Sequence, residues 1–236
     1  MIDITGKPLA SMYFMQIVWG LRKEPFIGVR PLNHAKEAPT TGAWQFTNAI
    51  DSWSWQGYEG EKAVVEVYAN SASVRLLLNG KEIANKPVKK YKTLFKLPYQ
   101  PGTLTAEALD ERGNVISSHS LTTAGEETVL RVTPDKMVLC ANNQSLCYLP
   151  IEFTDKAGNL KPYMEQLVEV AVAGAATLAG FGSALCKTNE VFDKPYHHSY
   201  RGRCLAVLRA GSTPGKAKVT VTSAGMEPVT IEVEVQ

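Results

Sequence analysis

Most of the chain alternates apolar residues with other residues at a period of two, and turn signals interrupt the alternation about every eight to twelve residues. In "AVVEVYANSASVRLLLNGKEI" (63–83), valines and leucines recur at alternate positions, and Asn79-Gly80 is typical of a tight turn between two strands. The second half continues with "TVLRVTP", "LVEVAVAG", "CLAVLRA" and "VTIEVEV". Short strands at this spacing predict a mainly β protein with two tandem immunoglobulin-like antiparallel β-sandwiches.

The first 30 residues follow a helical period instead. Leu9, Tyr13, Ile17 and Leu21 recur every four residues, and Pro25 ends the pattern. A short amphipathic helix followed by a linker strand is therefore expected over 1–30. Because one such helix cannot bury its own apolar face, we expect it to fold back on the first sandwich or to drive self-association.

The segment "TTAGEE" (122–127) lacks apolar periodicity and separates the two predicted sandwiches. We therefore expect the first sandwich over 31–125 and the second over 126–236. A chain of 236 residues is long enough for two domains of ordinary size.

The charge balance excludes several kinds of partner. The 25 basic and 23 acidic residues give a net charge of +2, which argues against a nucleic-acid partner. No apolar run approaches the roughly 20 residues that span a bilayer, so no membrane partner is expected. The sequence "MIDITGKPLASMY" lacks the basic start and apolar core of an export signal.

Residues that carry chemistry are present, but they do not form a recognisable catalytic pattern. The four cysteines lack zinc-knuckle spacing, and buried free thiols are favoured over a Cys140–Cys147 bridge. His197 and His198 would point to opposite faces of a strand and would not share a metal ion. The strand glutamates, expected to face solvent, are Glu66, Glu152, Glu169, Glu232 and Glu234. We therefore expect no catalytic residue, no cofactor and no metal site in this chain.

Two similar turns, "DERGN" (110–114) and "DKAGN" (155–159), each lie between predicted strands. Each has too few carboxylates at alternate positions for a calcium loop, so simple turns are favoured.

An aromatic group is the strongest candidate for a binding surface. Trp53 and Trp55 share a side-chain direction if the segment is extended, and Trp44 and Tyr58 lie nearby in the sequence. Such aromatic side chains pack in a core or domain seam, anchor a protein interface or stack on sugar rings. Spacing alone leaves these three options open.

Three blocks of sequence resemble the C-terminal part of family-2 glycoside hydrolases of the β-galactosidase type. The stretch "IDITGKPLASMYFMQIVWGLRKEPFIGVRP" is similar to the segment that closes the catalytic barrel of that family. Its matching residues are Asp3, Gly6, Lys7, Pro8, Tyr13 and Trp19, while Leu9 replaces a usual lysine. The run from Trp53 to Lys81 resembles the sandwich that follows the barrel.

The third block, "LAGFGSALCKTNEVFDKPYHHSYRGRCLAVLRAG", resembles the last sandwich of the family. It departs from the family pattern at Leu185-Cys186, where Asn-Pro is common, and at Cys204, where alanine is usual. We interpret both departures as local changes of loop and packing.

The resemblance implies that the acid/base and nucleophile glutamates lie upstream, on the barrel, and that no position here inherits either role. It implies a non-catalytic accessory region of an exo-acting glycosidase that supports the barrel, shapes the cleft or promotes homo-oligomerisation. The expected partner is the upstream barrel, in a parent exported to the bacterial periplasm or beyond. Two alternatives are a carbohydrate-binding module that uses Trp44, Trp53 and Trp55, with an oligosaccharide as partner, and an adhesion sandwich. The resemblance shifts the weight for Trp53 and Trp55 towards a seam between barrel and sandwich.

Overall fold

The computed structural model describes residues 2–35, 42 and 45–236. The chain forms two compact units, Met1–Ala124 and Gly125–Gln236, each built on paired β-sheets. The tandem β-sandwich architecture predicted from the alternating pattern is thereby confirmed. No helix among the described residues is both long and apolar enough to cross a membrane.

The single helix of the described part, α1 (Ala10–Val18), belongs to the first unit. It ends at Trp19, and Gly20 follows in the left-handed conformation (φ 71°), which is a usual way to terminate a helix. Ala10, Ser11 and Ile17 are buried against the unit. The helix therefore folds back on the first sandwich, one of the two outcomes expected for its apolar face.

Within its described residues, the first unit contains seven strands in two antiparallel sheets. One sheet has the order β1-β2-β5, with β1 at Phe26–Val29, β2 at Lys62–Tyr68 and β5 at Lys92–Pro98. The other has the order β4-β3-β6-β7, formed by β3 (Ser73–Leu78), β4 (Lys81–Pro87), β6 (Thr103–Leu109) and β7 (Val115–Thr122). In β3 every second residue is buried, as the alternating sequence predicts.

The second unit contains nine strands in two sheets. The first sheet has the order β12-β14-β10-β8, formed by β8 (Val129–Val132), β10 (Leu146–Thr154), β12 (Ala176–Gly182) and β14 (Arg203–Ala210). The second has the order β13-β11-β15-β16-β9, formed by β9 (Val138–Leu139), β11 (Leu167–Gly174), β13 (Tyr196–His198), β15 (Gly215–Ser223) and β16 (Val229–Val235). Valines, leucines and phenylalanines from both sheets form its core.

One pairing departs from the antiparallel prediction. Strand β9 runs parallel to β16, with Val138 opposite Glu234 and Leu139 opposite Val235. The chain leaves β8 at the edge of one sheet and reaches the edge of the other within a few residues. The two-residue strand thereby covers an edge of β16 that would otherwise be open to pairing with another chain.

All four cysteines are free thiols. Cys140 is exposed, whereas Cys147 is buried and its thiol donates to the Lys136 carbonyl oxygen at 3.2 Å. Burial raises the pKa of Cys147 to about 11, so this thiol is protonated and unreactive near neutral pH. The Cys140–Cys147 bridge is absent, in agreement with the favoured interpretation of free thiols, but the expected burial is wrong for Cys140 and Cys186, which are exposed.

The two similar turns are held by their first aspartates. Asp110 accepts hydrogen bonds from the backbone N–H groups of Arg112 and Asn114, at 2.9 and 2.8 Å. Asp155 accepts from the N–H of Asn159 at 2.8 Å and also from the N–H of Gly125 at 2.8 Å. Asp155 therefore ties the first residue of the second unit to this turn, a contact that Asp110 does not make.

We expect Asp155→Ala to destabilise the second unit by about 1–2 kcal/mol, because it removes two backbone hydrogen bonds at a buried position. Amide hydrogen exchange followed by mass spectrometry would detect this as faster exchange in peptides covering 125–161. Asp110→Ala is the matched control at an exposed turn in the first unit. Equal exchange of the 125–161 peptides in Asp155→Ala and in the unsubstituted chain would contradict the assignment.

Candidate functional site

The tryptophan segment predicted as a candidate surface lies inside the first unit. Trp53 and Trp55 both have no exposed surface, and the neighbouring Ser52 and Ser54 are buried too. The Trp53 indole N–H donates to the Gln100 carbonyl oxygen at 3.0 Å, and its ring packs edge-on against Tyr99 at 4.9 Å. Of the three options left open by spacing, burial of this kind favours packing within the unit.

The same segment fastens the end of the first unit. The Trp53 carbonyl oxygen accepts a hydrogen bond from the Thr123 hydroxyl at 2.7 Å, and the Ser54 hydroxyl accepts from the Ala124 N–H at 2.9 Å. The Trp55 N–H donates to the Tyr99 hydroxyl at 3.0 Å. The segment from Trp53 to Trp55 thus joins Tyr99, Thr123 and Ala124, which lie far from it in the sequence.

Tyr58, a further member of the predicted aromatic group, is not part of this packing. Tyr58 is half-buried in the turn after Trp55, and its N–H donates to the Trp55 carbonyl oxygen at 3.0 Å. Trp44 lies outside the described residues. A sugar or domain contact at Trp44, Trp53, Trp55 or Tyr58 therefore remains a prediction.

The expectation that every strand glutamate faces solvent is wrong for Glu66. This carboxylate lies on β2 with no exposed surface, and two cations hold it: the Arg30 guanidinium at 2.9 Å and the Lys92 ammonium at 2.6 Å. The hydroxyls of Thr47 and Tyr68 also donate to it, at 2.9 and 2.8 Å. A buried carboxylate persists only when it is paired and hydrogen-bonded in this way.

The protonation of this cluster follows from the same contacts. Burial alone would raise the pKa of Glu66, but the hydrogen bonds from Lys92, Tyr68 and Arg30 outweigh it and hold the pKa below the ordinary 4.5. Burial and the adjacent carboxylate raise the pKa of Tyr68, so its hydroxyl stays protonated and donates. At neutral pH the cluster contains one anion and two cations.

An aromatic cluster connects the helix to β1 and β2. Tyr13 stacks on Phe26 at 4.4 Å, and Phe14 meets Tyr68 and Phe46 edge-on at 5.3 and 5.1 Å. Because Tyr68 also binds Glu66, the helix and the buried ion pairs form one connected packing unit.

A pocket of about 510 Å³ opens at the outer side of this aromatic cluster. Phe14 and Phe46 provide aromatic surface, and Leu94 adds further apolar surface. Lys89, Lys90 and Lys92 provide the charge. The sequence analysis did not single out these lysines, although "KPVKKYK" (86–92) is visible as a basic run. A charge run alone does not tell which lysines converge on a concave surface.

The adjacent histidines of the second unit lie on β13 and face opposite sides, as the strand geometry requires. His197 is fully buried between Phe192, which stacks on it at 5.6 Å, and Phe181, and its Nδ1 donates to the His198 carbonyl oxygen at 2.8 Å. His198 is exposed and its Nδ1 lies 2.8 Å from the Glu190 carboxylate. Burial acts against ionisation of Glu190, but the hydrogen bonds from His198 prevail and lower its pKa.

Two further strand glutamates form ion pairs with lysine or arginine side chains. Glu152 pairs with Arg203 at 3.0 Å and Glu232 pairs with Lys216 at 3.0 Å, so these strand carboxylates are engaged by cations. Within the part of the chain that the structure describes, no three His, Cys, Asp or Glu side chains are grouped to hold a metal ion.

The fold and these contacts define the class of protein: it is a tandem β-sandwich protein, and the side chains described above pack its units or lie at their surface. Comparisons with known proteins narrow the class. Residues 130–232 match the model of the glycoside hydrolase family 2 C-terminal domain 5, and residues 60–117 match a domain of unknown function (DUF4982).

The β-galactosidase BoGH2A of Bacteroides ovatus is 30% identical over 195 residues, which cover 81% of this chain and 23% of that protein. Among solved structures, a glycosyl hydrolase family 2 member from Bacteroides cellulosilyticus has a TM-score of 0.87 at 26% identity. That match covers 100% of this chain and 31% of the other. A β-glycosidase from Bacteroides vulgatus shares the fold, with a TM-score of 0.76 at 22% identity over 99% of this chain and 27% of the other.

The chain therefore belongs to the C-terminal region of glycoside hydrolase family 2. It spans about a quarter to a third of the length of these relatives.

Proposed function

We propose that this chain supports the catalytic barrel of an exo-acting β-galactosidase-like glycosidase and does not itself hydrolyse a glycosidic bond. Its work would be to pack on the barrel, to shape one side of the substrate cleft or to promote homo-oligomerisation. The likeness to a β-galactosidase and to family-2 structures supports this proposal, because the chain corresponds to only a minor part of each relative.

The observation that carries the proposal is exposed apolar surface at both ends of α1. Ile2 and Ile4 precede the helix and are 58% and 59% exposed, while Trp19 and Leu21 follow it and are 60% and 74% exposed. The middle of the helix is packed on the first unit. Large apolar side chains left in water beside a packed helix are typical of a contact surface for another domain.

The residues that touch the barrel would therefore be Ile2, Ile4, Trp19 and Leu21. The middle of the helix is not proposed for this contact, because Tyr13 and Phe14 are already engaged by Phe26 and Tyr68. We further propose that the parent acts in the periplasm or outside the cell of a bacterium, as expected for enzymes that meet polysaccharides.

We expect the purified chain to show no turnover of nitrophenyl-β-galactoside, because the resemblance to the family implies that the paired catalytic carboxylates lie on the barrel. The measurement is release of nitrophenol at several pH values. A longer protein from the same gene that includes a barrel would be the positive control. Turnover by the chain alone, abolished by one Glu→Gln substitution, would overturn the proposal.

The docking surface has its own test in that longer protein. Trp19→Ser together with Leu21→Ser should weaken the attachment of the barrel, seen as faster proteolysis between the two parts. Val115→Ser together with Ile116→Ser replaces exposed apolar residues on β7 and is the matched control. Equal proteolysis of the two double variants would exclude Trp19 and Leu21 from the contact.

A further inference from the structure

The lysine-lined pocket of the first unit has features that packing does not explain. It is defined by Phe14, Phe46, Lys89, Lys90, Lys92 and Leu94. Its volume of about 510 Å³ falls within the range of about 300–1,000 Å³ usual for small-molecule sites. Phe46 and Leu94 keep 37% and 42% of their surface exposed, so the pocket presents apolar surface to solvent.

The charge of the pocket is unbalanced. Lys92 pairs at 2.6 Å with Glu66, a carboxylate that it shares with Arg30, and its ammonium group lies 5.6 Å from the ring centre of Phe46. Lys89 and Lys90 are exposed, and among the described residues neither forms an ion pair with a carboxylate. Two cations without counter-charge therefore stand beside an exposed aromatic ring.

The turn that presents these lysines is held in an unfavourable backbone conformation. Lys90 and Tyr91 both have positive φ angles, 49° and 62°, within a tight turn closed by hydrogen bonds between Lys89 and Lys92. Asn and Gly are the residues that such a turn favours: Gly has no Cβ, and the short polar side chain of Asn can form local hydrogen bonds. Lysine and tyrosine are strained there. Strained residues of this kind concentrate at sites of function.

We propose that this pocket binds a saccharide that bears a carboxylate or sulfate, with the sugar ring on Phe46 and the anionic group between Lys89 and Lys90. The aromatic face suits the apolar face of a sugar ring, and the two cations select an anionic group. The choice of a sugar over other anions rests on the proposed function in a glycosidase. The site would hold a charged part of a glycan near the barrel without taking part in hydrolysis.

Binding is measured on the purified chain by calorimetry and by chemical shifts, with four probes: a tri-uronate, a sulfated galactose oligosaccharide, neutral galactotriose and tri-glutamate. We expect saturable binding of one or both anionic probes with a Kd of about 1 mM or tighter. High salt should weaken it, because the Debye length falls from about 10 Å at 0.1 M to about 3 Å at 1 M. Whichever anionic probe binds identifies the group as carboxylate or sulfate.

Substitutions locate the site. Lys90→Asn removes the charge and introduces a residue that favours the turn, so an affinity loss of about tenfold would arise from charge alone. Phe46→Ala should cause a similar loss, and its folding is checked by tryptophan fluorescence. Lys96→Ala, an exposed lysine further along β5 and outside the pocket, is the control and should change the affinity less than twofold.

Three results would overturn the proposal: no saturable binding of either anionic probe at about 10 mM, equal affinity for galactotriose, or equal binding of tri-glutamate that Phe46→Ala leaves unchanged. The last result would mark the pocket as an unselective basic surface. These outcomes are separate from the hydrolysis test, because a chain that binds no probe could still support an active barrel.

Discussion

Replacement of Glu66 by glutamine is expected to destabilise the first unit by about 2–3 kcal/mol at pH 7. Glutamine fills the same volume, but its single side-chain oxygen can replace only one of the two carboxylate oxygens that accept from Thr47 and Tyr68, and it leaves the Arg30 and Lys92 charges without an anion. Loss of one partner of a buried pair costs about 3–5 kcal/mol. The expected cost is lower here because the side chains of Arg30 and Lys92 are 41% and 27% exposed and can recover hydration.

Tryptophan fluorescence isolates this effect. All four tryptophans lie before residue 125, so urea unfolding followed by fluorescence reports the first unit alone. Glu107→Gln is the matched control, because Glu107 pairs with Arg75 at 2.6 Å on the neighbouring sheet but is partly exposed. We expect that control to cost less than about 1 kcal/mol. If the two variants unfold at the same urea concentration, Glu66 contributes no more than a surface ion pair.

The contribution of Glu66 should depend on pH in a defined direction. Its pKa is lowered in the folded state, so the unfolded state binds more protons between the folded pKa and the ordinary 4.5. The contribution is therefore fully present above pH 4.5 and is lost as the pH falls through the folded pKa. The stability difference between the unsubstituted chain and Glu66→Gln should shrink in the same window.

The sequence was sufficient to predict the β-sandwiches, because the patterns that indicate strands and turns are local. Alternation in β3 and the Asn79-Gly80 turn depend on side-chain direction and on positive φ angles, and both are visible within ten residues. The pairing of β9 with β16 is different. It joins two residues to a strand about 95 positions later, and no local pattern encodes a contact of that range.

Glu66 is a single residue whose environment the local sequence pattern could not predict. Along β2 it occupies a position that alternation assigns to the solvent side, between Val65 and Val67. The structure buries that side as well, because α1 and the residues around Thr47 cover it and supply Phe14 and a hydroxyl donor. Alternation predicts which residues share a face, but it cannot reveal that a second layer covers that face. The lysine-lined pocket was missed for the same reason, since its walls come from α1, the segment at Phe46 and the turn before β5.

Trp53→Ala is expected to have the largest effect of any substitution in the first unit, a loss of about 3–5 kcal/mol. The indole is fully buried, its ring packs on Tyr99, and its N–H satisfies the Gln100 carbonyl oxygen. The same substitution would barely affect stability if Trp53 were a surface platform for sugar. Urea unfolding followed by the fluorescence of Trp55 therefore tests packing against ligand contact directly.

Conversion of Trp53 or of Trp55 to phenylalanine gives a sharper comparison, because the two substitutions remove a similar side-chain volume. Trp53→Phe also breaks the hydrogen bond to Gln100, whereas the Trp55 indole N–H is buried and has no partner among the described residues. Loss of an unsatisfied buried donor offsets part of the cavity cost, so Trp55→Phe should be milder by about 1–2 kcal/mol. Equal costs for the two variants would show that the hydrogen bond to Gln100 does not stabilise the segment. A milder Trp53→Phe would reverse the assignment, and Trp55 would then be the residue that fastens "DSWSW" to the rest of the unit.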